Sequence, residues 1–164
     1  MPFTPFHIGP ALFFGLLLFS LLDLPTFLLA SVIVDIRAIF VYFGIIHGPL
    51  HGPLHTFLGG TIIAVLLATA MFLIKDYTKK ITKLFKLQQN SSFKKTLITS
   101  LLGVYLHIFL DSPLYLDIKP FYPLDINPLY GIVSSPAIYL FCVFSFILAS
   151  IIYIYNIYRL VLSN

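Results

Sequence analysis

The stretch HGPLHGPLHT, residues 47–56, places three histidines at four-residue intervals directly before a long apolar run. Proline interrupts a helix and disfavours helical conformation in the residue before it, so the two Gly-Pro pairs exclude one continuous helix here. Pro53 suits the first turn of a following helix, which His55 and Thr56 would open. We therefore predict an interruption between two apolar segments, with His51 and His55 at a helix entrance.

The composition around this stretch is typical of a membrane protein. Of the 164 residues, 59% are hydrophobic and 10% are charged, and the mean hydropathy is +0.99, whereas globular domains are about 25% charged. A straight span needs about 20 apolar residues. We predict an all-α fold, a single integral membrane domain over residues 1–164 and a polytopic helical bundle. About five apolar segments, some short or interrupted, lie roughly at residues 8–22, 24–46, 56–74, 96–111 and 136–155.

The basic residues predict an orientation. Seven of the ten Lys and Arg residues lie within residues 75–95, and the positive-inside rule makes this loop cytoplasmic. Five spans would then place the C-terminus in the cytoplasm and all five histidines towards the outer face of the cell membrane. Within the loop, Ile81, Leu84 and Phe85 allow two interpretations: a basic amphipathic turn or two on the inner leaflet, or a solvated loop that only sets topology.

His107 and Asp111 lie four residues apart in LHIFLDSP. On a helix this spacing puts both side chains on one face, within about 6 Å of each other, and Pro113 predicts the end of that helix. Ionisable side chains in a membrane normally face the protein interior and have a partner. With His51 and His55 they predict a His/Asp metal site. The alternative is an internal His–Asp hydrogen bond that holds two helices together.

Two further residues are candidates. Asp35, in LLASVIVDIR, is either a carboxylate ligand or the ion-pair partner of Arg37. His7 precedes the first apolar segment and could reach the same site. His47 is interpreted as a surface residue.

Residues 112–135 are rich in Pro and Tyr and predict an ordered cover at the outer face, where interfacial aromatic residues collect. Lys119 and Tyr122 in this segment would either anchor it at the headgroup level or contact a substrate. The chain contains no Glu, which excludes an H-E-x-x-H metalloprotease, and its single Cys142 excludes an internal disulfide. It also contains no G-x-S-x-G, P-loop or G-x-G-x-x-G motif.

The motifs TPFHIGPAL, SVIVDIR, HGPLHTFLG and HIFLDSPLYLDIKPFYPL, in this order, resemble the YdjM-like family of predicted membrane-bound metal-dependent hydrolases over nearly the whole chain. The resemblance implies an all-helical membrane domain with a metal site. It also implies a distant relation to zinc-dependent phospholipase C and P1-type nucleases, which cleave phosphoesters. The metal ligands it implies are His7, Asp35, His51, His55, His107 and Asp111. The chain departs from the family pattern where Val34 replaces a proline and Arg37 replaces a second acid. Arg37 would either repel a metal or pair with a substrate phosphate.

The expected function is that of a membrane-embedded hydrolase that holds a divalent metal ion, with zinc as the expected ion. It would cleave a phosphoester or lipid-like substrate through a metal-activated water, with Asp35 or Asp111 as ligand or base. The expected partners are the lipid bilayer and that substrate, and no nucleic acid. Two alternatives stay open: a non-catalytic metal-binding protein, such as a sensor or carrier, and a structural membrane protein with an internal His/Asp network.

Overall fold

A computed structural model describes residues 4–162, and within them the chain is helical with no β-strand, which confirms the predicted all-α class. Two short 3-10 turns lie at Thr4–His7 and Pro53–His55. The seven α-helices within the described residues are α1 (Ile8–Leu17), α2 (Leu24–Ile33), α3 (Ile36–Tyr42), α4 (Phe57–Leu73), α5 (Lys75–Leu84), α6 (Phe93–Asp111) and α7 (Ser135–Leu162).

Side-chain caps set the starts of three helices. Asp23, Thr56 and Ser92 each accept a hydrogen bond from the backbone N–H three residues later, at 3.1, 2.9 and 3.2 Å. Each bond satisfies an N–H group that has no partner within its own helix. Thr56 caps α4 from an extended backbone conformation, so the α-helix begins after it. The expectation that His55 and Thr56 themselves open this α-helix is therefore wrong, because His55 belongs to the preceding 3-10 turn.

By length and composition, the helices support two to four membrane spans. Helices α6 and α7 are each long and apolar enough to cross a membrane. The α2–α3 and α4–α5 pairs qualify only as bent spans, with bends of 41° and 74°. Helix α1 has ten residues, which extend about 15 Å, or half of a hydrocarbon core of about 30 Å. The expected bundle of five spans is not supported, because the first segment is too short and the second breaks near Asp35.

Helix α6 is the centre of the packing, since both α2 and α4 lie against it, while α1 packs on α2 and α7. The core between the three central helices is formed by small and branched side chains: Ala30, Val34, Ala64, Val104 and Ile108. Gly103 allows α2 to approach α6 closely, since a Cβ atom there would lie 2.5 Å from the Cβ of Ala30. This approach fixes the position of α2 relative to α6, and α2 leads directly to Asp35.

Many large apolar side chains face outward from this core. Along α7 they include Leu140, Phe144, Ile151 and Ile154, which are between 57% and 68% exposed. A soluble monomer rarely exposes apolar surface so continuously, whereas lipid tails are a matching solvent for it. The protein is thus consistent with an integral membrane location, and its orientation across the bilayer stays a prediction.

The basic segment after α4 forms helix α5, which turns away from α4 by 74°. Its lysines share the helix with apolar Ile81 and Leu84, which are 59% and 81% exposed. The segment is therefore an amphipathic helix over residues 75–84, as the first of the two interpretations expected. That it lies on a lipid leaflet stays a prediction.

The contact between α2 and α6 gives a test of the fold. We expect Gly103→Val to lower the apparent melting temperature of the detergent-purified protein, since overpacking of a core costs about 1–3 kcal/mol. The matched control is Leu102→Val, one residue away on the same helix, where the side chain is 47% exposed. Equal melting temperatures for the two variants would contradict the close approach of α2 and α6.

Candidate metal centre

Four of the predicted site residues form one buried group. They are Asp35, His55, His107 and Asp111, and one potential ligand atom from each lies within 4.8 Å of the others. None of the four is more than 1% exposed. Burying ionisable groups without compensating charges or hydrogen bonds costs at least a few kcal/mol each. The group therefore needs an interaction that balances its charges.

Each member of the group is positioned by a helix break or a helix end. Asp35 lies between α2 and α3, where the chain bends by 41°. His55 ends the 3-10 turn that Pro53 begins. His107 and Asp111 occupy the last two turns of α6, where their spacing puts them on one face. Helix breaks therefore bring together side chains that are distant in the sequence.

The imidazole nitrogens and the carboxylate oxygens of the group lie close to one another. Asp35 Oδ1 lies 3.3 Å from His55 Nε2 and 3.4 Å from His107 Nε2. Asp111 Oδ2 lies 3.3 Å from His107 Nε2 and 3.9 Å from His55 Nε2. Each carboxylate thus faces both imidazole rings.

The hydrogen bond of His107 determines which of its ring nitrogens carries a hydrogen atom, and with it the charge needed at the centre. Its Nδ1 lies 2.7 Å from the backbone carbonyl oxygen of Ser31. A carbonyl oxygen only accepts, so Nδ1 carries a hydrogen atom and donates it. In the neutral ring the Nε2 lone pair then points towards two carboxylates, which is repulsive. A positive charge must lie at the centre, either as a second proton on His107 or as a cation held between the rings and the carboxylates.

Three of the contact lengths match the spacing of ligands around a metal ion, and the fourth, between His55 Nε2 and Asp111 Oδ2, is longer at 3.9 Å. Ligands bound at the usual zinc distances of about 2.0–2.1 Å are about 3.3 Å apart in a tetrahedral site. Three of the four contacts between imidazoles and carboxylates measure 3.3–3.4 Å, beyond the 2.7–3.2 Å typical of N–H···O hydrogen bonds. Within the described chain, Nε2 of His55 and of His107 has no partner in hydrogen-bond geometry. The group could therefore hold a metal ion.

His7 lies beside the group of four. Its Nε2 is 3.2 Å from Asp111 Oδ1, and its ring stacks on the ring of His107 with centroids 4.1 Å apart. The side chain is 1% exposed, at the point where the first 3-10 turn leads into α1. The structure thus brings His7 to the site through Asp111, where it contacts the carboxylate oxygen Oδ1, while His55 and His107 lie against Oδ2.

The ring of His51 packs against the ring of His55, with the two ring centroids 4.8 Å apart. Its Nδ1 is 3.0 Å from both carboxylate oxygens of Asp117, and its ring also lies against Tyr115 at 4.3 Å. Sequence reasoning gave neither Asp117 nor Tyr115 a role at the site. In the sequence, Asp117 is recognisable only as an acid within the Pro- and Tyr-rich segment. Its pairing with a histidine 66 residues away depends on how that segment folds back.

Arg37 holds the histidine loop in place. Its Nη1 donates hydrogen bonds to the carbonyl oxygens of Pro49 and Leu50. Its guanidinium group lies so close to Gly52 that a Cβ atom there would be 2.6 Å from it. The guanidinium group of Arg37 therefore binds the loop backbone. Its predicted pairing with a substrate phosphate stays a prediction.

The ionisation of two site residues follows from burial. Burial lowers the pKa of His55 below its ordinary value, although the Asp35 carboxylate acts in the opposite direction. His55 is therefore neutral, which is the form of histidine that binds metals. Burial also raises the pKa of Tyr115, so its phenol keeps its proton.

A cavity of about 720 Å³ lies next to His51. Its wall combines polar side chains with the apolar start of α4, and includes His51, Thr56, Ile62, Asp117, Lys119 and Tyr122. Lys119 forms an ion pair with Asp125. His47 is exposed and is not among the residues that form the cavity or the group, in agreement with its interpretation as a surface residue.

The chain matches no family model, no curated protein and no solved structure. The donors at the centre are two imidazoles and two carboxylates. Imidazole suits zinc and other transition metals, and carboxylate suits harder divalent ions.

Metal content tests the centre directly. We expect detergent-purified protein to contain about one equivalent of a divalent transition metal, measured by inductively coupled plasma mass spectrometry, and His55→Ala to contain less than a tenth of that. The matched control is His47→Ala, which removes an exposed histidine from the same loop and should keep the metal. Chelation should lower the melting temperature of the wild-type protein, because a ligand that binds only the folded state stabilises it. A folded wild-type protein that neither retains nor takes up zinc would contradict this assignment.

Proposed function

We propose that this protein is a membrane-embedded metal-dependent hydrolase whose ion, zinc, is held by Asp35, His55, His107 and Asp111. The observation that carries the proposal is the buried group in which His107 Nε2 faces two carboxylates, so that a positive charge must lie between them, which a metal ion can supply. The resemblance to the YdjM-like family supports it independently of the distances, since these four residues are among the six ligands that the resemblance implies.

The reaction class follows from the chemistry of the donors. Asp35, His55, His107 and Asp111 would hold a divalent ion, and that ion would supply an activated water at neutral pH and polarisation of the bond to be cleaved. Asp35 and Asp111 are the proposed catalytic carboxylates because each faces two imidazoles from within the group. His7, with its Nε2 3.2 Å from Asp111 Oδ1, is placed to hold a proton against that oxygen and to orient the carboxylate.

His51 connects this centre to the proposed substrate site. Asp117 accepts the Nδ1 hydrogen of His51, and an acid in this position orients an imidazole and fixes its tautomer. The opposite nitrogen, Nε2, is buried and has no hydrogen-bond partner among the described residues. His51 therefore lies between the cavity and His55, with one nitrogen fixed and the other available.

The cavity next to His51 supports a phosphoester or lipid-like substrate. Lys119, which also pairs with Asp125, brings a positive charge to the wall and Tyr122 brings a hydroxyl group, and both groups suit an anionic phosphate. On the same wall, Leu58 and Ile62 of α4 are 57% and 60% exposed and suit an acyl chain. We propose that a membrane phospholipid enters between these two surfaces, at the outer face of the cell membrane, with the C-terminus in the cytoplasm.

A non-catalytic metal-binding protein is the main competing function. Metal content alone does not separate the two, because a sensor would bind the same ion through the same residues. A purely structural network differs from both, since a doubly protonated His107 would supply the positive charge and no metal would be bound. Turnover is therefore the deciding measurement.

The proposed activity predicts zinc-dependent cleavage of phospholipids. Protein in detergent with mixed phospholipids should release phosphorylated headgroups, detected by mass spectrometry. We expect Asp35→Asn to reduce the rate at least about 100-fold, in the range of lost acid–base or metal-assisted steps. His47→Ala is the control and should keep full activity.

The substrate site can be tested with a second variant. Lys119→Gln should raise KM on the order of tenfold while leaving the metal content unchanged, because it removes a charge that contacts the phosphate rather than a ligand. A protein that binds zinc but releases no product from any phospholipid would favour the non-catalytic alternative.

A further inference from the structure

Two adjoining cavities lie at the other end of the bundle, beside the basic helix α5. The first, of about 400 Å³, lies between α1, α2, α5 and α7, and is lined mainly by apolar side chains, including Leu16, Leu28, Ile81, Phe85, Leu87 and Tyr153. The second, of about 450 Å³, shares Leu87 with the first and contains Lys86, Asn156 and Arg159. Both volumes lie in the range of about 300–1,000 Å³ that small-molecule sites occupy. One apolar chamber therefore adjoins one basic chamber.

Lys86 adopts a backbone conformation that lysine rarely takes. Its φ is 57°, and it follows the C-cap of α5, Phe85. Its N–H bonds to the carbonyl oxygen of Lys83, and the N–H of Leu87 bonds to that of Thr82. These two bonds form a Schellman motif, in which glycine is the usual residue at the left-handed position. A residue with a Cβ atom costs about 1 kcal/mol or more there, so the motif alone does not account for a lysine.

The two cations in the basic chamber, Lys86 and Arg159, differ in their surroundings from three lysines of α5. Lys75 lies over the ring of Phe72 and Lys80 over the ring of Tyr77, while Lys79 donates a hydrogen bond to Asn90. Lys86 and Arg159 instead line the chamber with the Asn156 amide between α5 and α7. Among the described residues that line either chamber, none is acidic. The pair therefore presents a net positive charge to any ligand that enters.

We propose that this end of the bundle is a binding site for one anionic membrane phospholipid. An acyl chain occupies the apolar chamber, and the phosphate lies in the basic chamber against Lys86 and Arg159, with Asn156 as a hydrogen-bond donor. Basic pockets between membrane helices recognise anionic headgroups in this way. The two chambers adjoin at Leu87, which lines both of them. A phospholipid needs such adjacent chambers, because its apolar chain and its anionic headgroup belong to one molecule. Inorganic phosphate would leave the apolar chamber unused.

This site is separate from the metal centre. Its residues belong to α1, α2, α5 and α7 near the basic segment, and none of them is a proposed metal ligand. The proposal therefore holds or fails independently of the hydrolase proposal.

Native mass spectrometry of the whole protein in detergent tests the site, with phosphatidylglycerol and phosphatidylcholine of identical acyl chains as probes. We expect one molecule of phosphatidylglycerol to bind at least about tenfold more tightly than phosphatidylcholine. The double variant Lys86→Gly/Arg159→Gln should lose this preference, because two cations near a headgroup contribute on the order of tenfold or more. Lys86→Gly places glycine at the left-handed position, so the helix end should fold at least as well as in the wild type.

Two further variants make the result decisive. Lys80→Gln/Lys94→Gln removes two charges from the same basic segment without altering either chamber, and should keep the preference for phosphatidylglycerol. Ser150→Phe fills the apolar chamber from an exposed position, and should weaken the binding of both lipids. Equal affinity of the wild type for the two lipids would overturn the proposal. So would an equal loss in the charge-matched control, which indicates diffuse attraction, or unchanged binding in Ser150→Phe.

Discussion

The structure depends on one electrostatic requirement at the centre of the histidine and aspartate group. His107 donates its Nδ1 hydrogen to the carbonyl oxygen of Ser31 and turns its other nitrogen towards Asp35 and Asp111. Without a positive charge between them, these buried groups repel one another. A positive charge at the centre, carried by a proton on His107 or by a metal ion, makes the same contacts attractive. An interaction of this kind offsets the cost of burying four ionisable side chains together.

The irregular features of the fold follow from this requirement. In a continuous helix each residue lies 1.5 Å further along the axis than the one before, so only one or two side chains of one helix could reach the centre. The chain instead breaks at Asp35, enters α4 through the turn at His55 and ends α6 at Asp111. Backbone that leaves helical conformation inside a membrane is tolerated where it lines a polar site. The same breaks shorten the helices, which is why two to four spans are supported where composition predicted five.

Sequence predicted those parts of the site that depend on local spacing. His107 and Asp111 share a helix face because they are four residues apart, and the Gly-Pro pairs exclude a helix through the histidine stretch. The contacts of Arg37 and Asp117 could not be predicted in this way. Arg37 binds carbonyl oxygens 12 and 13 residues away, and the partner of Asp117 is 66 residues away. Both contacts depend on how non-helical loops fold back on distant parts of the chain, so only the folded chain reveals them.

Buried aspartates have different partners at the two ends of the bundle. At the basic end Asp23 is also buried, but it accepts hydrogen bonds from the backbone and hydroxyl of Thr26 and from Ser91, while its own N–H donates to Thr99. These neutral donors balance that carboxylate, so it requires no cation and ties the α1–α2 turn to α6. At the other end the partners of the two carboxylates are imidazoles, whose charge depends on what they bind. The chain thus buries Asp23 with hydroxyl and amide donors, but it surrounds Asp35 and Asp111 with histidines. The second arrangement is stable only with an added positive charge, which a metal ion would supply.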